Sequence, residues 1–382
     1  MTRLKRKRIC IVTTVPYALM MFMRPHIDMF ASQYDVTLVT NGVENDVHLL
    51  LGEHVHFLPL NIQRRISLWS DIRALVDLVR IFRRGRFDVV HSLTPKTGLL
   101  AMLAGVAAGA PNRIHTFTGQ VWVNKKGLSR FVLKMFDKVI AMCATRLLAD
   151  SFSQREFLID QHIVDAAKIQ VLAHGSVCGV DVERFKPDAP GRSATRKELG
   201  IPDDAIVYLF LGRLNRDKGV QDLGRAFVAL AQSMPNVHLI VVGPDEGGMD
   251  DELQKILQGN LSRFHRVGFT REPEKFMACA DILCLPSYRE GFGSVIIEGA
   301  AMGMPSVVSN IYGLTDAVVN SETGILHEPR NIGEIELALR TLSLDSEMRE
   351  KMGRRAQDRV HSCFTRDISK NAMQDYYKLL LS

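Results

Sequence analysis

Apolar positions along this chain fall into short unbroken runs separated by stretches with helical spacing, and the alternation occurs twice. Residues 8–14 (RICIVTT) read as a first strand, 19–32 as a helix and 35–40 (DVTLVT) as a second strand. Strands follow at 88–92, 113–119 and 145–151, the first of them leading into a helix rich in small residues. Beyond 175–190 the pattern restarts, with strands at 207–211, 236–243, 265–269, 281–286 and 305–310, and residues 348–381 are helical and amphipathic. Apolar runs alternating with helices imply parallel strands covered on both faces, so the fold class is α/β with Rossmann-like sheets. At 382 residues the chain exceeds one hydrophobic core, which sets two domains at 1–186 and 187–364, with 365–382 as a closing helix.

Two segments carry a second pattern on top of the first. In residues 62–87, Leu68, Ile72, Leu75, Val79 and Phe82 keep helical spacing among Arg64, Arg65, Arg73, Arg80, Arg83, Arg84 and Arg86. In residues 119–138, Val121, Trp122, Phe131 and Met135 mix with Lys125, Lys126, Arg130, Lys134 and Lys138. Each reads either as a core-facing helix with a solvated basic face or as a basic amphipathic surface for an anionic membrane or acceptor. Charge distribution sharpens the point. The chain is net +6, but residues 1–190 hold 25 Lys+Arg against 16 Asp+Glu, a net +9, and the remainder is −3. An anionic surface facing the first domain, either a membrane leaflet or a phosphorylated acceptor, is the expectation, and no nucleic-acid-binding motif accompanies the charge.

Other features exclude classes. The basic start is followed by a short apolar run at 9–12 that suits a strand rather than a secretory signal, and the longest apolar stretch, 99–110, falls short of the ~20 residues a bilayer span needs. Membrane contact is therefore expected to be peripheral, on the cytoplasmic side. The six cysteines contain no C-x-x-C pair and read as reduced thiols.

The candidate chemistry centres on residues 283–310. The strand ending at Pro286 is followed by Glu290, Gly291, Phe292 and Gly293, and a helix opens at Ser294 with Val295 and Glu298 in its first turns. Strand, glycine turn and helix make a phosphate site: glycines let backbone approach an anion, and the helix start presents unpaired N–H groups. Upstream, Val207–Leu211 runs into Gly212, Arg213 and Lys218, a planar fork and a point charge that suit a diphosphate. Read blandly, the carboxylates are ordinary helix residues and the cations are solvated. Arg24 is a minor anion candidate in a first loop that lacks paired glycines.

"GRLNRDKG" and "EGFGSVIIE", with "HGSVCGVDVERF" between the halves, resemble the retaining glycosyltransferases of family four. The resemblance spans nearly the whole chain and implies the GT-B fold: two Rossmann-like domains facing a cleft, the first binding acceptor and the second the nucleotide-sugar, with a terminal helix crossing back to the first. It implies that Arg213, Lys218, Gly291, Phe292, Gly293, Ser294 and Val295 hold the diphosphate and sugar, that Gly268 and Phe269 meet the base, and that Glu298 holds ribose. It also makes His115 and Glu290 the active-site pair close to the reacting sugar. No metal and no cofactor are expected, because the cations and the helix start stabilise the leaving diphosphate. The donor is expected to be UDP-linked and the acceptor a polyprenyl-diphosphate-linked saccharide of surface-glycan synthesis. A nucleotide-sugar epimerase of the same fold, or a non-catalytic sugar-nucleotide-binding protein, are the alternatives.

Overall fold

A computed structural model describes residues 6–14, 16, 19, 23–42, 55–62 and 67–382. The chain forms two compact units, the first made of Met1–Gly179 with Arg366–Ser382 and the second of Val180–Thr365.

The first unit is a parallel sheet of seven strands: β1 (Arg8–Val12), β2 (Asp35–Thr40), β3 (His56–Pro59), β4 (Val89–Ser92), β5 (Asn112–Phe117), β6 (Arg146–Ala149) and β7 (Ile169–Val171), ordered β3-β2-β1-β4-β5-β6-β7. Its helices are α1 (Arg24–Gln33), α2 (Leu68–Gly85), α3 (Pro95–Ala108), α4 (Gly127–Cys143) and α5 (Phe152–Asp160). Ile9, Ile11, Cys10 and Val12 are all fully buried, two to each face, which is why β1 shows no alternation. One core layer holds residues from α2 to α5, including Leu78, Met102, Ile140 and Leu158; the other holds Ile27 and Phe30 of α1. Of the helix expected over 19–32, Leu19 is helical and its carbonyl accepts the Met23 N–H at 2.8 Å, and Arg24–Gln33 form α1 with Pro25 in its first turn.

The second unit has a six-stranded parallel sheet: β8 (Ile206–Leu211), β9 (Val237–Val242), β10 (Phe264–Val267), β11 (Ile282–Leu285), β12 (Ser306–Ser309) and β13 (Gly324–His327), ordered β10-β9-β8-β11-β12-β13. Around it lie α6 (Ala189–Leu199), α7 (Val220–Ser233), α8 (Met249–Ile256), α9 (Pro273–Cys279), α10 (Ser294–Ala301), α11 (Leu314–Ala317), α12 (Ile332–Leu344) and α13 (Ser346–Cys363). The Asp281 carboxylate just before β11 anchors this unit. It pairs with Arg192 and the buried Arg196 and accepts the Val207 N–H at 2.7 Å.

The units divide at 179/180 rather than 186/187. Val180 and Phe185 belong to the second core, and the Val180 N–H donates to the Phe364 carbonyl at 2.8 Å. The helical C-terminal stretch is broken at Phe364 and Thr365, where buried Phe364 closes the second unit's core and α14 (Arg366–Leu381) joins the first. There Tyr377 is fully buried, stacks 4.3 Å from the Phe30 ring and lies 2.7 Å from His91 Nδ1.

Candidate active site

The second unit's sheet order reverses between β8 and β11, which pair directly, and the loops at their carboxyl ends carry the charged residues singled out in the sequence. Those two loops are clamped together. Gly219, at φ +65°, lies so close to Pro286 that a Cβ would come 2.0 Å from its carbonyl oxygen. The Tyr288 N–H donates to the Asp217 carbonyl at 2.7 Å, and Arg289 pairs with the Asp217 carboxylate at 3.1 Å. The Tyr288 hydroxyl donates to Asp222 at 2.5 Å while Arg330 covers its ring at 4.5 Å, and burial pushes the phenol up to about 12.

The clamp brings Lys218 to Glu290. Nζ lies 2.5 Å from Oε1, and the Ser287 hydroxyl donates to the same oxygen at 2.8 Å. Both side chains are mostly shielded, 19% and 12% exposed, so their attraction is stronger than at open surface. Oε2 takes no part in either bond, which leaves one carboxylate oxygen directed elsewhere.

Three residues beyond Glu290 the chain turns through Gly293 (φ +81°) into α10, whose start has no side-chain cap. The first N–H groups of Ser294 and Val295 are the donors such a start presents to an anion. Gly291 is held from behind: a Cβ on Gly313 (φ +85°) would come 2.5 Å from its carbonyl oxygen. Phe292 faces the other way, 1% exposed, with its ring 5.3 Å from Phe364. Only its backbone is placed to meet a ligand; its side chain is core.

Arg213 lies at the mouth of the same loop, half exposed, with Nη1 3.1 and 2.9 Å from the two carboxylate oxygens of Glu246. Asn215 also donates to Glu246, at 3.2 Å, and the Glu246 N–H donates to the Leu214 carbonyl at 2.8 Å. This fastens the loop after β8 to the loop after β9. Gly243 (φ +136°) supports the same junction, its N–H donating to the Val267 and Gly268 carbonyls. Gly268 is exposed and Phe269 is 56% exposed, beside this junction. Glu298, one turn into α10, is one of the carboxylates that raise the proton affinity of the Arg184 guanidinium, behind the larger effect of its hydrogen bond to Glu274. Arg184 also donates to the Arg271 carbonyl at 2.6 Å.

The sequence reading missed Ser287, Tyr288, Asp217, Glu246, Gly313 and Arg184. Tyr288, Ser287, Asp217 and Arg184 lie inside the motifs already singled out, and Glu246 lies in the loop 243–248 that the sequence sets near the same ligand; Gly313 lies on another strand's loop, where only the sheet order shows its relevance.

In the first unit His115 proves to be a core histidine rather than a residue exposed to ligand. It lies inside β5, 1% exposed, with Nδ1 2.9 Å from the Ser92 hydroxyl and its ring edge-on to Phe117 at 4.7 Å. A Cβ on Gly98 of α3 would come 2.4 Å from His115 Cε1, so the helix closes over the ring. Burial pushes its pKa down to about 3, the Ser92 contact opposing. The group is neutral and enclosed, and its contact with Ser92 joins β5 to β4. At the carboxyl ends of β1 and β4 lies a run of hydroxyls instead: Thr14 and Thr94 at 2.8 Å, and Thr94 and Thr97 at 2.6 Å. Arg24 is exposed at the start of α1, and part of the first loop, residues 15, 17, 18 and 20–22, lies outside the described residues. Among the described residues no group of three or more His, Cys, Asp or Glu side chains is arranged to hold a metal ion.

Two parallel sheets, each reversing order beside its first strand, with cations and a helix start gathered at one reversal, define a nucleotide-binding α/β enzyme architecture. A model described as glycosyl transferases group 1 matches residues 191–359, and one described as a glycosyl transferase 4-like domain matches residues 29–175. Over 332 residues, 86% of each chain, the sequence is 30% identical to the capsular polysaccharide biosynthesis glycosyltransferase CapM of Staphylococcus aureus. It is 27% identical over 353 residues, 90% of this chain and 89% of the relative, to the UDP-Gal:alpha-D-GlcNAc-diphosphoundecaprenol alpha-1,3-galactosyltransferase of Escherichia coli. The structure superposes on that of Anabaena HepE, solved in complex with UDP, with a TM-score of 0.81 at 19% identity, covering 97% and 99% of the two chains. The chain belongs to the group 1 glycosyltransferases, and it has the GT-B fold.

Proposed function

We propose that this glycosyltransferase moves a sugar from a UDP-sugar to a polyprenyl-diphosphate-linked saccharide, with retention of anomeric configuration and without a metal, in surface-polysaccharide synthesis at the inner face of the cytoplasmic membrane. The observation that carries the reading is the Lys218–Glu290 pair beside the uncapped start of α10, at the strand reversal of the second unit. In the reaction the bond from the anomeric carbon to the diphosphate oxygen breaks, a bond to the acceptor oxygen forms on the same face of the ring, and the acceptor hydroxyl's proton passes to the departing diphosphate. Charge then grows on the diphosphate. Lys218, Arg213 and the N–H groups of Ser294 and Val295 are the preorganised positive groups that stabilise it. Glu290, oriented by Lys218 and Ser287, holds sugar hydroxyls through its remaining oxygen; Gly291 and Gly293 let backbone close on the sugar; Glu298 holds the ribose; and Gly268 and Phe269 flank the base. The UDP donor and the lipid-linked acceptor draw support from the Escherichia coli relative, whose name gives both, and the surface-polysaccharide role from the capsular relative.

The test is nucleotide release by the purified protein with a panel of UDP- and GDP-sugars, with and without a membrane lipid extract, in the presence of a chelator. The reading expects release from a UDP-sugar that survives chelation, requires the extract and disappears in Glu290→Ala. Conversion of the donor to an epimer without acceptor, or no release with any donor, overturns it.

A further inference from the structure

The Arg213 guanidinium has an anionic partner within the protein itself. Both of its contacts with the Glu246 carboxylate, at 2.9 and 3.1 Å, use Nη1, so the Nη2 and Nε side of the fork is left to other partners. Glu246 is not a loose surface acid. The loops after β8 and β9 continue the parallel pairing of their strands: Leu214 bridges Asp245, the Leu214 N–H donates to the Pro244 carbonyl at 2.9 Å, and the Glu246 N–H donates to the Leu214 carbonyl at 2.8 Å. Gly243 permits this approach, since a Cβ there would come 1.9 Å from the Gly212 carbonyl oxygen. The ladder fixes the Glu246 backbone beside Arg213, and the Asn215 amide donates to its carboxylate at 3.2 Å. A negative charge is thus built into a cation site that the proposed function gives to a diphosphate.

Stability does not account for it. The Arg213 and Glu246 side chains are 49% and 35% exposed, and pairs so open to water add little to a fold. The shielded pairs of this unit are Arg196 with Asp281 and Lys218 with Glu290. In surroundings close to water the attraction between Arg213 and Glu246 is weak, so an arriving anion can share the cation.

The charge of the ligand decides what such sharing does. The diphosphate of a nucleotide-sugar is a diester with about two negative charges; a free nucleoside diphosphate ends in a monoester phosphate that ionises again near pH 6 and carries about three at pH 7. A diphosphate held by Nη2 and Nε lies one guanidinium's width from the Glu246 carboxylate, inside the Debye length of about 8 Å at physiological salt. The carboxylate repels it, and repels the product nucleotide more than the donor.

We propose that Glu246 is a positioning residue that acts through Arg213: it takes up part of the guanidinium's charge and loosens the site's hold on diphosphate, most of all on the free nucleoside diphosphate, so that product gives way to fresh donor. The inference deepens the proposed function and rests on a diphosphate meeting Arg213.

The experiment is calorimetric titration of the full chain, Glu246→Gln and Glu246→Asp with UDP, a panel of UDP-sugars and uridine, the guanine compounds taking their place if the parent binds only those. Glu246→Gln removes the charge and should tighten UDP about three- to tenfold, the bound UDP-sugar by less and uridine not at all, and the gain should shrink with added salt. Glu246→Asp keeps the charge and should stay close to the parent. The pair is half exposed, so unfolding curves of both variants should overlay the parent. A residue that only held the loop in place would weaken every ligand when changed. UDP affinity unchanged or weakened in Glu246→Gln, a gain shared equally by uridine, or an equal gain in Glu246→Asp overturns the proposal and leaves the proposed function standing. A parent that binds neither diphosphate overturns both.

Discussion

The Lys218 ammonium lies 2.5 Å from the Glu290 carboxylate although the two residues are on different loops, 72 positions apart. The contact forms because Gly219 lets its loop press against Pro286, and it sets both side chains before any ligand arrives. Lys218→Met should therefore do two things: remove a cation from the leaving diphosphate and let Glu290 swing free. A fall in kcat of about 10²–10³ is expected, with KM changing less. Steady-state kinetics of Lys218→Met and Glu290→Gln check this, and a change confined to KM would show that the pair only binds.

Gly219→Ala should damage the site more than an equivalent change at Gly303. Both glycines have positive φ, +65° and +79°, but a Cβ at Gly303 meets nothing within 4 Å whereas at Gly219 it strikes the Pro286 carbonyl. Gly303→Ala should cost about 1 kcal/mol of stability. Gly219→Ala should cost about 1–3 kcal/mol and also weaken UDP binding, read by calorimetry. Equal losses of stability with unchanged affinity would show that the loops are not clamped there.

Phe292 separates anchoring from recognition inside one motif. With its ring buried against Phe364, Phe292→Ala should destabilise the second unit by about 3–5 kcal/mol, while Glu290→Gln, which keeps an oxygen acceptor for Lys218 and Ser287, should lower the denaturant midpoint much less. Chemical unfolding of the two variants decides it.

Acid should weaken the first unit, and the sign follows from four buried groups. Burial pushes His91 and His115 down to about 3 and His26 to about 4, from 6.5. Below pH 6.5 the unfolded chain takes up protons that the folded chain refuses, so each histidine removes about 1.4 kcal/mol per pH unit as the pH falls. Asp137 acts oppositely. Its carboxyl is raised from 3.8 to about 7 by burial, so its contribution is full below about pH 4 and is lost as the pH rises through 7. Three groups outweigh one between pH 4 and 6.5, and stability falls on acidification. Asp137→Asn removes the opposing group and should steepen that fall, measured by unfolding curves across the range.

Much of this arrangement is readable in the amino-acid sequence, for physical reasons. Strands β8 and β11 are buried on both faces and so appear as unbroken apolar runs, and the loops that follow them carry Lys218 and Glu290 at the positions the structure uses. Short elements were not readable: β3 has one buried residue in four and β7 spans three residues, and β13 carries only a partly buried pattern. Helical spacing also misplaced a face. Leu68 and Ile72 continue the apolar stripe of α2 but stand in water, because the helix's burial begins only at Ala74. The resemblance singles out His115, but neither it nor spacing reveals that Gly98 lets a helix settle onto its ring. Trp122, grouped with a surface segment, is held inside by Asp137 and Phe157.

The closing helix α14 has a consequence for how the molecule is made. The second unit is one unbroken stretch of chain, but the first is completed only by residues made after all of the second, with Met373 and Tyr377 filling its core beside Phe30. Until residues 366–381 have left the ribosome, an almost finished sheet keeps that seat open and the His91 ring without its tyrosine. The later-made unit is thus the first able to mature, and a nascent chain stalled before Arg366 presents an unfinished first unit to chaperones and proteases.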